Sequence, residues 1–230
     1  IGTLLGEQNK GMKAMFLMMN EARLGVGLQG SSMASASYIN AVNYTKERIQ
    51  GINLLEIFSE NPKSVAIVNH PDVRNQLLFM KSHVEGMRSL MFYTGLLFDK
   101  VAIAESEEDK QKFQGLIDIL IPIVKSYCTE KGFEVCTTGV QAFGGYGYIQ
   151  EYPQEQLLRD CLITKIYEGT NGIQAMDLLG RKLGVNKGKP FIDLLGEMGN
   201  TVALSRDYPE LEKMTEKVDA AISKLGDVAM

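Results

Sequence analysis

Leu77, Val84, Met91 and Phe98 stand seven residues apart, and Met80, Met87 and Val101 fall on the row between them. A strand would scatter such a row over both of its faces. A helix gathers it into one apolar seam that must be covered by another helix. The segment opens at Pro71-Asp72, where proline suits a first helical turn. A chain with this seam folds as packed helices, and the rest of the sequence agrees.

A short helix is expected over Met12 to Met18 and a long one from about Asn20 to Arg48. The middle of the long helix, Gly25 to Ser37, is crowded with Gly, Ala and Ser, so a neighbouring helix can approach closely. Glycine lowers helix propensity, so tertiary contacts must hold this stretch together. Gly51 to His70 reads as irregular. Ser106-Glu-Glu-Asp109 gives an acidic helix start, and the charge run Glu105 to Lys112 reads as a solvated one. An apolar face then runs through Phe113, Leu116, Ile117, Leu120, Ile121 and Val124 towards Phe143. Pro122 inside it should kink the helix or mark a junction. Gly144-Gly-Tyr-Gly147 breaks the helix. Further helices are expected over about Gln154 to Ile166 and Ile173 to Leu183, with a turn at Glu168 to Gly172 between them. Gly184 to Pro190 reads as a linker. Beyond it lie two amphipathic helices, about Phe191 to Ser205 and Pro209 to Leu225. No β-strand is expected after Leu5. The expected fold is all-α, an up-and-down bundle of long helices over residues 1–184, with a short helical C-terminal extension over 185–230.

Composition sets limits. Apolar residues make up 45% of the 230, enough for a sizeable core. A net charge of −4 gives no basic excess for a nucleic-acid groove or an anionic membrane. Twelve Met and no Trp suit helix-packed interiors. Cys128, Cys136 and Cys161 lack zinc-ligand spacing, so no metal site is expected. Their sparse, odd count fits a reducing, cytoplasmic setting. No apolar run is long enough to span a bilayer. The opening Ile1-Gly-Thr-Leu-Leu-Gly reads like a strand end and a turn, and the chain is expected to be a piece of a longer protein.

Two glycine-punctuated stretches could carry chemistry. Gln141-Ala-Phe-Gly-Gly-Tyr-Gly-Tyr148 either caps a helix or leaves backbone N–H groups open to a ligand. No strand precedes it, so it is not a dinucleotide fingerprint. In Ile166-Tyr-Glu-Gly-Thr-Asn-Gly-Ile-Gln174 a carboxylate stands between an aromatic residue and a glycine, at a break between helices. Desolvated by a ligand and apolar neighbours, Glu168 would make a useful base near neutral pH. Alternatively, Glu168 or Thr170 caps the next helix. His70 reads as structural and His83 as solvated or packed.

Residues Gln141 to Lys182 resemble the C-terminal signature of the acyl-CoA dehydrogenases. Gln-Ala-Phe-Gly-Gly-Tyr-Gly-Tyr, Arg159-Asp160 and Ile-Tyr-Glu-Gly-Thr ahead of Ile-Gln stand in the family's order and spacing. Leu5-Gly-Glu, Gly11-Met-Lys, Asn20-Glu-Ala-Arg-Leu24 and Lys46-Glu-Arg-Ile-Gln50 extend the likeness, which covers about Leu4 to Leu183.

The resemblance implies a flavoenzyme that uses FAD to dehydrogenate an acyl-CoA between its α and β carbons. It implies Glu168 as the base, with its backbone N–H and a flavin ribityl hydroxyl steadying the thioester oxygen. It assigns Arg48, Gln50, Gln141, Gly144, Gly145 and Thr170 to the cofactor, several of them to the FAD of a neighbouring subunit. An Arg48 guanidinium offers a planar fork for phosphate. Asn20, Arg23, Tyr167 and Gly169 are assigned to the acyl-CoA. The resemblance also implies a homo-dimer or homo-tetramer, with an electron-transfer flavoprotein as electron acceptor. The small-residue face at Gly25 to Ser37 and the seam from Leu77 to Val101 point to self-association as well.

The chain also departs from the family's pattern. Some members keep their base immediately before the residue equivalent to Arg23, which here is Ala22. Glu21 lies one position further away, about 100° around the helix. Arg48-Ile-Gln-Gly-Ile replaces Arg-x-x-Phe-Gly, which removes a phenylalanine contact to adenine. Gly172 stands where many members have Gln. The Asn-Gly after Thr170 and the tail beyond Arg181 resemble longer bacterial members, including a group acting on methylthiopropionyl-CoA. An acyl-CoA oxidase would share the base and the flavin. A second class of reading is a helical oligomerisation module without chemistry of its own, since the family's N-terminal helical and middle β domains are not in this sequence.

Overall fold

The structure is a computed structural model that describes residues 2–229, apart from the side chains of Lys13, Phe16 and Leu17. Ile1 of the anticipated strand end and those three side chains of the anticipated Met12–Met18 helix lie outside the described residues. Residues 2–5 carry no strand, and a turn follows at residues 6–9.

The fold is the expected all-α bundle, with eight α-helices among the described residues. The first, α1, runs unbroken over Gly11–Glu47. It therefore replaces the two helices expected there, because neither Met19 nor Asn20 interrupts the i→i−4 ladder. A short antiparallel pair follows, β1 (Ile49–Ile52) and β2 (Ser64–Ala66), where no strand was expected. Segments of four and three residues are too short to show an alternating pattern in sequence. Their register, Ile49 opposite Ala66 and Ile52 opposite Ser64, places an extra residue on β1, and Gly51 there takes φ +73.

Helix α2 spans Pro71–Ile103 and α3 spans Glu107–Phe143. Ser106 caps α3 by accepting from the Asp109 N–H at 3.0 Å. Pro122 lies inside α3, which continues through it, and the boundary between two compact units passes at this residue. Gly144, at φ +61, ends α3. The single turn α4 (Gly145–Tyr148), α5 (Gln154–Thr164) and α6 (Asn171–Asp177) follow, and a π-turn over Leu178–Lys182 extends α6. Asn186, Lys187 and Gly188 all take positive φ, which makes the expected linker a tight left-handed turn. Helices α7 (Lys189–Ser205) and α8 (Glu212–Ala229) form the tail.

The first unit joins residues up to Tyr93 with Ile123–Gln174, and the second joins Thr94–Pro122 with residues from Ala175 on. In the first, Ala34, Ala41, Met80, Val84, Met87, Val124, Cys128 and Val135 form the core. Gly27 and Gly30 of α1 face α3. A Cβ on Gly30 would stand 2.8 Å from the Cys128 carbonyl oxygen, and one on Gly132 would stand 2.6 Å from that of Gly30. The small-residue stretch is thus used within the chain. The seam of α2 changes near its C-terminal end. Met80, Val84 and Met87 are buried as expected, but further along Thr94 and Leu97 are buried while Phe98 and Val101 are only half so. Thr94 continues the Met80–Met87 row, and a drift of about 20° per heptad is too small to exchange Phe98 for Leu97, so packing sets that choice. In the second unit, Gly115 lies against Pro190, where a Cβ would be 2.9 Å from the ring.

Candidate active site

The sequence-marked residues gather at two places in the first unit. At one, Arg48, Gln50, Gln141, Gly144 and Gly145 line a cavity of 650 Å³ together with Tyr44, Gly51, His70, Gln76 and Tyr146. Aromatic packing holds its walls. The Tyr44 and Phe143 rings stack with centroids 4.1 Å apart, and Tyr152 meets both edge-on. Burial raises the Tyr44 phenol above its usual range, against the opposing pull of Arg48. The Arg48 guanidinium lies over the Tyr146 ring at 5.4 Å, so both sides of the cavity are tied to one cation. The His70 ring meets the Gln50 carbonyl at 2.8 Å and packs under Gly51, fixing the β1 turn. His70 has the structural role read from its sequence.

Nothing stands within 4 Å of where a Cβ would sit on Gly144 or Gly145, so their backbone is open to a neighbour. Gln76 places its Oε1 in the interior without a hydrogen-bond partner among the described residues. Exposed Arg48, open glycine backbone and an unpaired amide oxygen suit a phosphate-bearing ligand with polar edges. FAD has such a diphosphate, and these residues fit it.

At the second place, the stretch Tyr167 to Thr170 links α5 to α6. Glu168 takes φ +56 and Gly169 φ +86. Glycine tolerates this region, whereas a glutamate there is strained and must be held. The Glu168 carbonyl accepts from Arg23 Nε at 3.3 Å and from Gln174 Nε2 at 3.3 Å, and the Gly169 carbonyl accepts from Gln174 Nε2 at 3.0 Å. Gln174 is buried, and a Cβ on Gly169 would stand 2.8 Å from its Nε2. The Glu168 carboxylate, half-buried, has no hydrogen bond or ion pair among the described residues, and no acceptor stands against its N–H.

Arg23 is buried and bound to this turn. Thr170 Oγ1 accepts from the Ile173 N–H at 3.3 Å, so the helix-capping reading falls to Thr170. The Tyr167 hydroxyl donates to Gln29. Asn20 is half-buried on α1, and Glu21 is exposed.

Sequence reasoning passed over Lys125 and the side chain of Asn171. Lys125 is fully buried on α3 and donates to Asn171 Oδ1 at 2.9 Å. Burial pulls its ammonium down to about 8, Arg23 pushes the same way, and Glu130 and Glu168 oppose. A lysine one step from Val124, between Ile121 and Cys128 on an apolar face, was the available signal. No group of three or more His, Cys, Asp or Glu among the described residues is placed to hold a metal ion. No described helix is long and apolar enough to cross a membrane.

The sequence profile of the acyl-CoA dehydrogenase C-terminal domain matches residues 9–183. A 3-methylmercaptopropionyl-CoA dehydrogenase of Ruegeria pomeroyi is 43% identical over 79% of this chain and 30% of its own length. A butyryl-CoA dehydrogenase of Syntrophomonas wolfei is 36% identical over 96% of this chain and 36% of its own. The solved butyryl-CoA dehydrogenase of Megasphaera elsdenii superposes with a TM-score of 0.61 at 31% identity, over 78% of this chain and 40% of that one. The chain thus spans about a third of the length of the curated relatives it matches.

Proposed function

Because the chain belongs to the acyl-CoA dehydrogenase family, we propose that it supplies the base and part of the cofactor cavity of an FAD-dependent enzyme that desaturates an acyl-CoA thioester. The observation that carries this reading is the Glu168 turn. Its backbone is held from two sides in a conformation glutamate disfavours, while its carboxylate and N–H are left to meet a ligand. The carboxylate takes the proton from the carbon α to the thioester. The N–H of the same residue donates to the thioester oxygen as negative charge gathers there. FAD, when bound, would supply the acceptor for the hydride leaving the β carbon.

Arg48, Gln50, Gln141 and the Gly144–Gly145 backbone hold the diphosphate side of FAD at the cavity. Glu168 does not line this cavity, and Arg48 closes α1 25 positions beyond Arg23, which favours their serving the flavin of a neighbouring subunit. The enzyme would then be a homo-dimer or homo-tetramer. Thr170 completes the cofactor contacts beside the base. Tyr167 and Gly169 border the acyl thioester, and Asn20 and Arg23 border its CoA side. Residues 1–184 act as the C-terminal helical domain of this enzyme, and 185–230 as an extension. A cytoplasmic location and an electron-transfer flavoprotein as acceptor belong to the same proposal.

The test is the flavoprotein that carries this chain, mixed without oxygen with a panel of acyl-CoAs that includes butyryl-CoA and 3-methylthiopropionyl-CoA. At least one should bleach the flavin. Glu168→Gln should bind that acyl-CoA yet slow bleaching by at least ~10²-fold, the lower range for a positioned general base. Glu21→Gln should bleach at the parental rate. Parental bleaching by Glu168→Gln would show that another residue is the base.

A further inference from the structure

Resting on the assignment of Glu168 as the base, we infer that Lys125 and Asn171 are its positioning residues: the buried α3 ammonium clamps Asn171 and thereby fixes the turn that aims the Glu168 carboxylate. Lys125 is one of the largest fully buried side chains, and its neighbours Ile121, Val124 and Cys128 are buried too. An ammonium in such a place is costly to desolvate unless a partner repays it. Leu or Met would pack the same volume without that cost. What Lys125 does and an apolar residue cannot is to donate to Asn171.

Asn171 is the first residue of α6 and uses its whole amide. Its Oδ1 accepts from Lys125 Nζ at 2.9 Å and from Thr129 Oγ1 at 3.2 Å. Its Nδ2 donates to Glu130 Oε2 at 2.9 Å and reaches the Ser126 carbonyl at 3.5 Å. All four partners belong to α3. Asn171 is not the capping residue of α6, since Thr170 does that. The network serves the turn. The Asn171 N–H donates to the Lys165 carbonyl at 3.2 Å, closing a loop from Lys165 to Asn171 with Glu168 at its middle. Lys165 Nζ in turn pairs with Glu130 Oε1 at 2.7 Å. Burial raises Glu130, but its hydrogen bonds from Lys165 and Asn171 prevail and hold the carboxyl below its usual range, so it stays charged.

The loop is therefore pinned at both ends of its base to α3, and at its middle to Arg23 and Gln174. A left-handed glutamate relaxes when its surroundings loosen, and relaxation turns the carboxylate away from the α-carbon. A misplacement of about 1 Å at a reacting group can cost ~10²-fold in rate.

The test compares Lys125→Met, Asn171→Ala and the double variant Lys125→Met/Asn171→Leu with Glu168→Gln in the flavoprotein. Each is followed by α-hydrogen exchange of a bound acyl-CoA into deuterated water, by acyl-CoA affinity and by thermal melting. The double variant removes both polar partners together, which spares the fold an orphaned buried group. Expected is an exchange rate lowered ~10-fold or more in all three variants, with acyl-CoA affinity within ~3-fold of parental. The double variant should regain melting temperature relative to Lys125→Met but not rate. The inference is overturned if exchange recovers with stability in the double variant, or if Asn171→Ala exchanges at the parental rate while Glu168→Gln is slow. If Glu168→Gln itself exchanges at the parental rate, it is the base assignment that has failed.

Discussion

Arg23 Nε donates to the backbone carbonyl of Glu168 at 3.3 Å, joining residues 145 positions apart in the sequence. The bond uses the secondary nitrogen of the planar guanidinium, on a residue only 5% exposed. A lysine keeps the charge but has no such nitrogen. Arg23→Lys should therefore slow flavin reduction at saturating acyl-CoA by at least ~10-fold, beyond any loss of CoA affinity from its place on the CoA side. Stopped-flow reduction and calorimetric titration with CoA separate the two. A large loss of CoA affinity with unchanged reduction would make Arg23 a CoA ligand and nothing more.

The crossing of α1 and α3 sets a second expectation. Gly132→Ala gains helix propensity of about 1 kcal/mol. It also drives a methyl to 2.6 Å from the Gly30 carbonyl oxygen, where only backbone could move aside. Overpacking of this kind costs ~1–3 kcal/mol or more, so the net should be destabilising. Gly86→Ala on α2, with nothing within 4 Å of the new methyl, should instead stabilise by about 0.5–1 kcal/mol. Urea titration of both variants reads the difference.

Lys125 ties stability to pH. Its folded value of about 8 lies below the ~10.4 of an unfolded lysine. Between these values the unfolded chain binds more protons, so the contribution of Lys125 to stability rises with pH. The stability of the parent relative to Lys125→Met should increase from pH 8 to pH 10, by at most ~1.4 kcal/mol per unit. Subtracting the variant removes the other lysines, which both proteins share. A flat difference would place the Lys125 ammonium in a better-solvated site than its burial indicates.

This chain alone should bind FAD weakly. The cavity at Arg48 and Gly144 offers contacts for the phosphates, and the Glu168 turn stands elsewhere on the same chain. Flavin fluorescence titrated with the chain should give little quenching at micromolar concentration. Stoichiometric flavin copurifying with it would place the main affinity in the phosphate contacts.

The sequence by itself determined what depends on local periodicity and on single residues. The apolar rows of α2 and α3, the proline and acidic helix starts, the break at Gly144 and the turn at Glu168 each follow from neighbours a few positions apart. The glycines Gly144, Gly145 and Gly169 marked both candidate places for the same reason. Tertiary structure decided what depends on distant partners. Whether Met19 and Asn20 join one helix, which of Leu97 and Phe98 faces inward, and whether seven residues near Gly51 pair as strands turn on packing. Lys125 carries the point furthest. A lysine in an apolar row is a contradiction until Asn171, 46 residues later, arrives at its Nζ. An ammonium is tolerated in an interior only where a partner satisfies it, and the partner is chosen by the fold.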